Sequence, residues 1–127
     1  MKVQASTPNF GIIQRDIDDA TSVVSVEGEL DLSTAPRLKW MLVDSLQAGR
    51  KHQVVDLSSA TFMDSTALGV LVAVNRTLGE GSRLVIVCSR PNVLKIFELS
   101  GMEGVFTILP TLEEALEYTR GHAAQAS

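Results

Sequence analysis

Two short runs of branched apolar residues, Val54-Val55-Asp56-Leu57 and Leu84-Val85-Ile86-Val87-Cys88, most constrain what this chain can fold into. Each is too short for a buried helix and rich in side chains that suit a pleated sheet, so both read as interior strands. Strands of that kind need cover on both faces, and the segments around them supply it. Ala35, Leu38, Leu42 and Leu46 recur at helical spacing, with Ser33 or Thr34 as a cap, Pro36 in the first turn and Gly49 at the end. The pairs Leu68-Val72 and Leu71-Leu78 predict a helix between Asp64 and Gly79, and Pro91 to Leu99 predicts a short one closed by Gly101. Thr111-Leu112-Glu113-Glu114 has the form of a capping box for a last helix with Leu112, Ala115 and Leu116 on one face. Val105 to Ile108 is a weaker strand.

Ahead of these elements, Phe10-Gly11-Ile12-Ile13-Gln14 and Val23-Val24-Ser25-Val26-Glu27 flank a polar turn and predict an antiparallel hairpin. After the hairpin the order is helix, strand, helix, strand, helix, strand, helix. That alternation predicts an α/β fold, a mixed but mostly parallel sheet of about five strands covered by about four helices. No linker divides the chain, so a single domain is expected over residues 8–120, with residues 1–7 and 121–127 as flexible termini. A chain of 127 residues can bury a core without a metal or disulfide staple.

Composition excludes several functions. The net charge of −4, with Lys and Arg scattered, argues against a nucleic-acid surface. The longest apolar run, Ala67 to Val74, falls well short of the roughly 18 residues of a membrane span. The N-terminal residues hold no apolar signal core, and the single cysteine, Cys88, lies in an apolar run. A soluble, cytoplasmic protein is expected.

Chemistry concentrates at Asp64-Ser65-Thr66-Ala67-Leu68-Gly69, reached through a short Ser/Ala/Thr link after Leu57. A hydroxyl stands beside a carboxylate where a strand hands over to a helix. Ser65 has two readings there. In one, Asp64 caps the helix and short polar residues merely suit its first turn. In the other, Ser65 is a phosphoacceptor, because free backbone N–H groups and the positive end of the helix dipole tolerate an added anion.

Enzymatic readings find less support. Ser65 lies in neither a Gly-x-Ser-x-Gly nor a Ser-x-x-Lys motif, and neither His52 nor His122 has an evident reason to face it. Two distant histidines and one cysteine make no metal-ligand spacing. Gly79-Glu80-Gly81-Ser82 lacks the lysine of a phosphate loop. Asp56, at the end of a central strand, invites comparison with phospho-accepting receiver domains. Such a site also needs acidic partners near the end of the first strand and a Lys on a later strand, but Asp18 and Asp19 fall in a turn and Lys95 in a helix. It reads as a carboxylate bonded to nearby N–H groups.

Taken together, Gly28-Glu29-Leu30-Asp31, Val54-Val55-Asp56-Leu57-Ser58 and Phe62-Met63-Asp64-Ser65-Thr66-Ala67-Leu68-Gly69 resemble, in order and spacing, the pattern of the STAS domain family, specifically the small bacterial anti-sigma factor antagonists. The likeness covers about residues 8 to 120; Ala67 departs from it, standing where the family usually has Gly. The resemblance implies partner switching. The unphosphorylated antagonist binds an anti-sigma factor with serine kinase activity and so frees a sigma factor for transcription. Phosphorylation of the residue matching Ser65 releases it, and a phosphoserine phosphatase resets it. ATP and Mg²⁺ would belong to the kinase, and this chain would be a ligand and substrate with no cofactor and no enzymatic activity, a monomer or weak dimer. By the same carry-over Asp31, Met63, Asp64 and Thr66 are candidates for the partner face. An alternative keeps the fold and makes the chain a ligand-sensing or scaffold module of a stress-signalling complex, without phosphorylation.

Overall fold

In a computed structural model, which describes residues 2–7, 9–102 and 104–126, every predicted element is found. The hairpin forms from β2 (Phe10–Asp16) and β3 (Thr21–Leu30), paired antiparallel with Phe10 opposite Gly28. Helix α1 (Ala35–Gln47) then leads to β4 (His52–Met63), α2 (Ser65–Thr77) to β5 (Arg83–Val87), and α3 (Pro91–Leu99) to β6 (Thr107–Leu109). Strands β3 to β6 run parallel, and α4 (Leu112–Ala126) follows. Strands β2 to β6 are the mixed sheet of five expected. A further strand, β1 (Lys2–Thr7), extends it at the β2 edge in antiparallel pairing, using residues read from sequence as a terminus. At the other end α4 continues to Ala126, into the expected tail; the side chain of His122 lies outside the described residues.

The sheet divides the apolar residues into two sets. Ile12, Val24, Val26, Val55, Leu57 and Ile86 pack with the inner faces of α1, α2 and α3 in the larger core. Their alternates Val23, Val54, Val85 and Val87 pack on Ala115 of α4 in a smaller one. Consecutive parallel strands joined by crossovers of one hand place α1 to α3 on one face, which leaves the other to α4.

Two features of β3 and β4 position the functional end of the sheet. Strand β4 does not stop at Leu57: the segment Ser58 to Phe62, expected as a link, is paired strand. Between Ser25 and Glu27, β4 advances from Asp56 to Ser59, and between Gly28 and Glu29 from Ala60 to Phe62, so one extra residue is accommodated at each place. Such bulges break the two-residue alternation from which strands are read in a sequence. The other feature is Gly28, at φ +91°, where a Cβ would lie 2.1 Å from the carbonyl oxygen of Asn9. That carbonyl accepts the amide of Glu29 at 3.0 Å, so only a residue without a side chain lets β2 begin against β3 here.

Candidate functional site

Helix α2 starts where the two parallel strands β3 and β4 end side by side. The amide of Asp64 donates to the carbonyl of Leu30 at 3.2 Å, which carries the pairing past the last strand residue. Asp64 itself is extended, with φ −108° and ψ 178°, the backbone of an N-cap. Its carboxylate is used twice. One oxygen accepts the amide of Ala67 at 3.0 Å, the capping bond. The other accepts the amide of Leu32 at 3.2 Å, from the loop between β3 and α1. One side chain therefore caps α2 and fastens the neighbouring loop to it.

That loop, residues 31–34, is organised by Asp31. Its carboxylate accepts from the Ser33 hydroxyl at 2.7 Å and from the Ser33 amide at 2.9 Å. These bonds, the Ser33 hydroxyl foremost, hold the Asp31 carboxyl below the ordinary carboxylate range. Thr34 occupies the N-cap position of α1, but its side chain does not cap. Its hydroxyl turns back, donating to the carbonyl of Glu29 at 2.9 Å and accepting the Asp31 amide at 2.8 Å. The expectation that Ser33 or Thr34 caps α1 through its side chain is thus corrected: both hydroxyls serve the loop.

Ser65 and Thr66 are the first two residues of α2, and both are exposed. Their amides precede the first intrahelical hydrogen bond, which runs from Leu68 to Asp64, so these two donors stay available to an anion at the surface. The floor is buried: Leu30, Met63 and Ala67 are at most 2% exposed. The Ala67 side chain, where the resemblance leads one to expect Gly, lies fully in the core.

The structure thus brings together Asp31, Asp64, Ser65 and Thr66 and separates Met63 from them. As a partner contact Met63 is corrected: it is the last residue of β4, 2% exposed, and packs in the larger core beneath the helix start. Its neighbour Phe62, 47% exposed, faces outward in its place, and Leu32, 71% exposed, stands on the loop that Asp64 fastens. Both were missed from sequence. Leu32 carried a signal, a large apolar residue inside a polar turn; the bulges hid Phe62.

The other candidates lie elsewhere. Asp56 is half-buried and accepts the Ser58 amide at 3.0 Å and the Ser58 hydroxyl at 2.6 Å, the local role expected of it. Its strand neighbours Val55 and Leu57 face the larger core, so Asp56 points to the opposite face, where it joins Ser25, Glu27 and Ser59 around a cavity of about 140 Å³. Cys88 is buried, and burial pushes its thiol above the ordinary range. Buried His52 is at the start of β4, and Met63 and the α2 start are at the strand's other end. Among the described residues no helix is long and apolar enough to cross a membrane.

Known proteins share this fold. The family model described as STAS domain matches residues 13–115. The chain is 28% identical over 103 residues to the anti-sigma-F factor antagonist RsfB of Mycobacterium tuberculosis, covering 81% of this chain and 84% of that protein. It is 30% identical over 97 residues to the anti-sigma-B factor antagonist of Staphylococcus aureus, covering 76% of this chain and 90% of that one. Among solved structures, an anti-sigma factor antagonist from Mycobacterium paratuberculosis superimposes with a TM-score of 0.82 at 32% identity, over 91% of this chain and 99% of that chain.

Proposed function

The chain belongs to the STAS domain family, and from that premise we propose that it is an anti-sigma factor antagonist switched by phosphorylation of Ser65. The observation that carries the reading is the exposed Ser65 hydroxyl at the first position of a helix whose cap, Asp64, also holds the adjacent loop. A kinase can reach that hydroxyl without unfolding anything. The product, about −1.5 to −2 charges, sits where the helix dipole and the free amides of Ser65 and Thr66 favour it, so the fold survives modification.

The same charge changes what a partner meets. Without phosphate, the surface around Ser65 offers neutral hydroxyls beside exposed Leu32, an apolar group that gains from being covered. With phosphate, a dianion stands next to the carboxylates of Asp64 and Asp31. A partner closing over it would have to desolvate the charge. In this reading the unphosphorylated chain binds an anti-sigma factor with serine kinase activity, and that difference in charge releases it on phosphorylation. The chain supplies the acceptor and the docking surface; the nucleotide, its metal ion and the catalytic groups belong to the kinase, and a phosphoserine phosphatase resets the switch in the cytoplasm. The relatives named as antagonists support the partner class.

The test is phosphate incorporation by the cognate anti-sigma factor kinase, mapped by mass spectrometry, with affinity measured by calorimetry. Ser65→Ala is expected to fold, to bind and to take up no phosphate. Ser65→Glu is expected to bind at least ~5-fold more weakly, the lower end of a buried-charge penalty. Full phosphorylation of Ser65→Ala would overturn the assignment, and unchanged affinity of Ser65→Glu would overturn the electrostatic switch.

A further inference from the structure

Nothing among the described residues requires glycine at position 69. Gly69 lies inside α2, and its φ is not positive. A Cβ built there meets no atom of the described residues within 4 Å beyond the helix's own backbone. In an exposed helix interior glycine is less favourable than alanine, because its backbone loses more freedom on folding. The bare position therefore lowers stability without serving a turn or a close contact within the fold.

Its place on the helix is specific. The buried residues Ala67, Leu68, Leu71 and Val74 mark the inner side of α2. At about 100° per residue Gly69 lies opposite them, on the side that carries Ser65 one turn earlier. Both residues are exposed. The Cα–Cβ bonds of a helix tilt toward its N-terminus, so the surface over one residue is covered by the side chain about a turn later. The space over Ser65 is thus the space that a long side chain at position 69 would occupy. Leu68, the other neighbour in that turn, is only 6% exposed and faces the core.

Phosphoryl transfer depends on that space. The Ser65 side chain is one carbon and one oxygen, so its hydroxyl stands close to the helix surface. In-line attack needs the reacting atoms about 3–3.5 Å apart, which brings the nucleotide against the α2 backbone. We propose that Gly69 governs access to Ser65, its missing side chain being the opening through which a nucleoside triphosphate held by the kinase reaches the hydroxyl. The serine oxygen bonds to the γ-phosphorus, the bond from that phosphorus to the bridging oxygen breaks, the hydroxyl proton passes to a base of the kinase, and the nucleoside diphosphate leaves. This rests on the reading of Ser65 as the phosphoacceptor and adds what keeps it reachable.

The experiment is the initial rate of phosphate incorporation from ATP by the cognate anti-sigma factor kinase, with the site mapped by mass spectrometry and Tm taken by circular dichroism. The full chain is compared with Gly69→Ala, Gly69→Gln and Gly121→Ala. Gly121, exposed in α4 with open space at its Cβ position, is the control for replacing a helix glycine. Alanine and glutamine are both good helix formers, so the two Gly69 variants are expected to unfold about 2–5 °C above the wild type. Gly69→Gln is expected to be phosphorylated at least ~10-fold more slowly, since a misplacement of about 1 Å can cost ~100-fold. Gly69→Ala, whose methyl stays clear of Ser65, is expected within ~3-fold of the wild type, and Gly121→Ala at the wild-type rate. Phosphorylation of Ser65 in Gly69→Gln at the wild-type rate overturns the role of Gly69 and leaves the Ser65 assignment standing. Equal slowing in Gly69→Ala and Gly69→Gln also overturns it, since helix flexibility rather than room would then be what glycine supplies. Absence of phosphate from Ser65 in the wild type overturns the Ser65 assignment, and the role of Gly69 with it.

Discussion

Replacing Asp64 by alanine tests the central geometric claim, that one carboxylate serves two elements. The substitution removes the capping bond to the Ala67 amide and the tie to the Leu32 amide. Loss of an N-cap costs about 1 kcal/mol. The Leu32 bond joins a charged acceptor to an amide that water can reach once it is broken, which places it near the low end, about 0.5–1.5 kcal/mol. Together the expected loss is about 1.5–2.5 kcal/mol, or about 6–10 °C in Tm for a domain of this size. Asp64→Asn separates the two parts. Asparagine caps about as well as aspartate, but its amide nitrogen cannot accept from Leu32, so about 1 kcal/mol is expected to be lost. Urea unfolding followed by circular dichroism gives both values, and hydrogen exchange assigns them. In Asp64→Asn the Leu32 amide should exchange faster while that of Ala67 stays protected; in Asp64→Ala both should speed up. A loss below about 0.5 kcal/mol for Asp64→Ala, or an unaltered Leu32 amide in Asp64→Asn, would refute the double role.

The other predictions concern the frame around the site. Gly28→Ala adds a Cβ at 2.1 Å from the Asn9 carbonyl, at a positive φ, and is expected to destabilise by at least ~3 kcal/mol; a near-wild-type urea midpoint would show that β2 does not begin there. Met63→Ala empties core volume and is expected to cost about 2–5 kcal/mol, whereas Phe62→Ala next to it should cost under about 1 kcal/mol; similar losses in the two would contradict their placement on opposite sides of β4. The Asp31 carboxyl is expected to titrate below the ordinary aspartate range by NMR and to move upward in Ser33→Ala. Because its folded value is depressed, its stabilising contribution is complete above the unfolded value of about 3.9 and disappears as pH falls through the folded one. Titration at or above the ordinary value would show that the loop bonds are not formed.

Much of the fold was legible because local rules and the tertiary answer coincide. Val54 to Leu57 and Leu84 to Cys88 read as interior strands and lie in β4 and, up to Val87, in β5; Pro91 to Leu99 is flanked by its own start and stop signals, and the Thr111 hydroxyl does accept the Glu114 amide, at 3.2 Å. The phosphoacceptor candidate was legible for the same reason, since Asp64 before Ser65 is a local capping signal that the structure uses as such. Ser58 to Phe62 was not legible. Its strand character depends on pairing with β3 through two bulges, and a bulge removes the alternation that marks a strand.

The sequence by itself determined the alternating order of elements, the exclusion of a long apolar span, and the position of Ser65 at a helix start, because each depends on residues within a few positions of one another. Only the tertiary structure decided which side chains stand around that serine. Asp64 reaches Leu32 across 32 residues of sequence, Thr34 gives its hydroxyl to the loop instead of the helix, and Met63 turns inward while Phe62 turns out. Those outcomes follow from strand register and from competition among several acceptors for a few donors. Such long-range terms leave no local pattern to read.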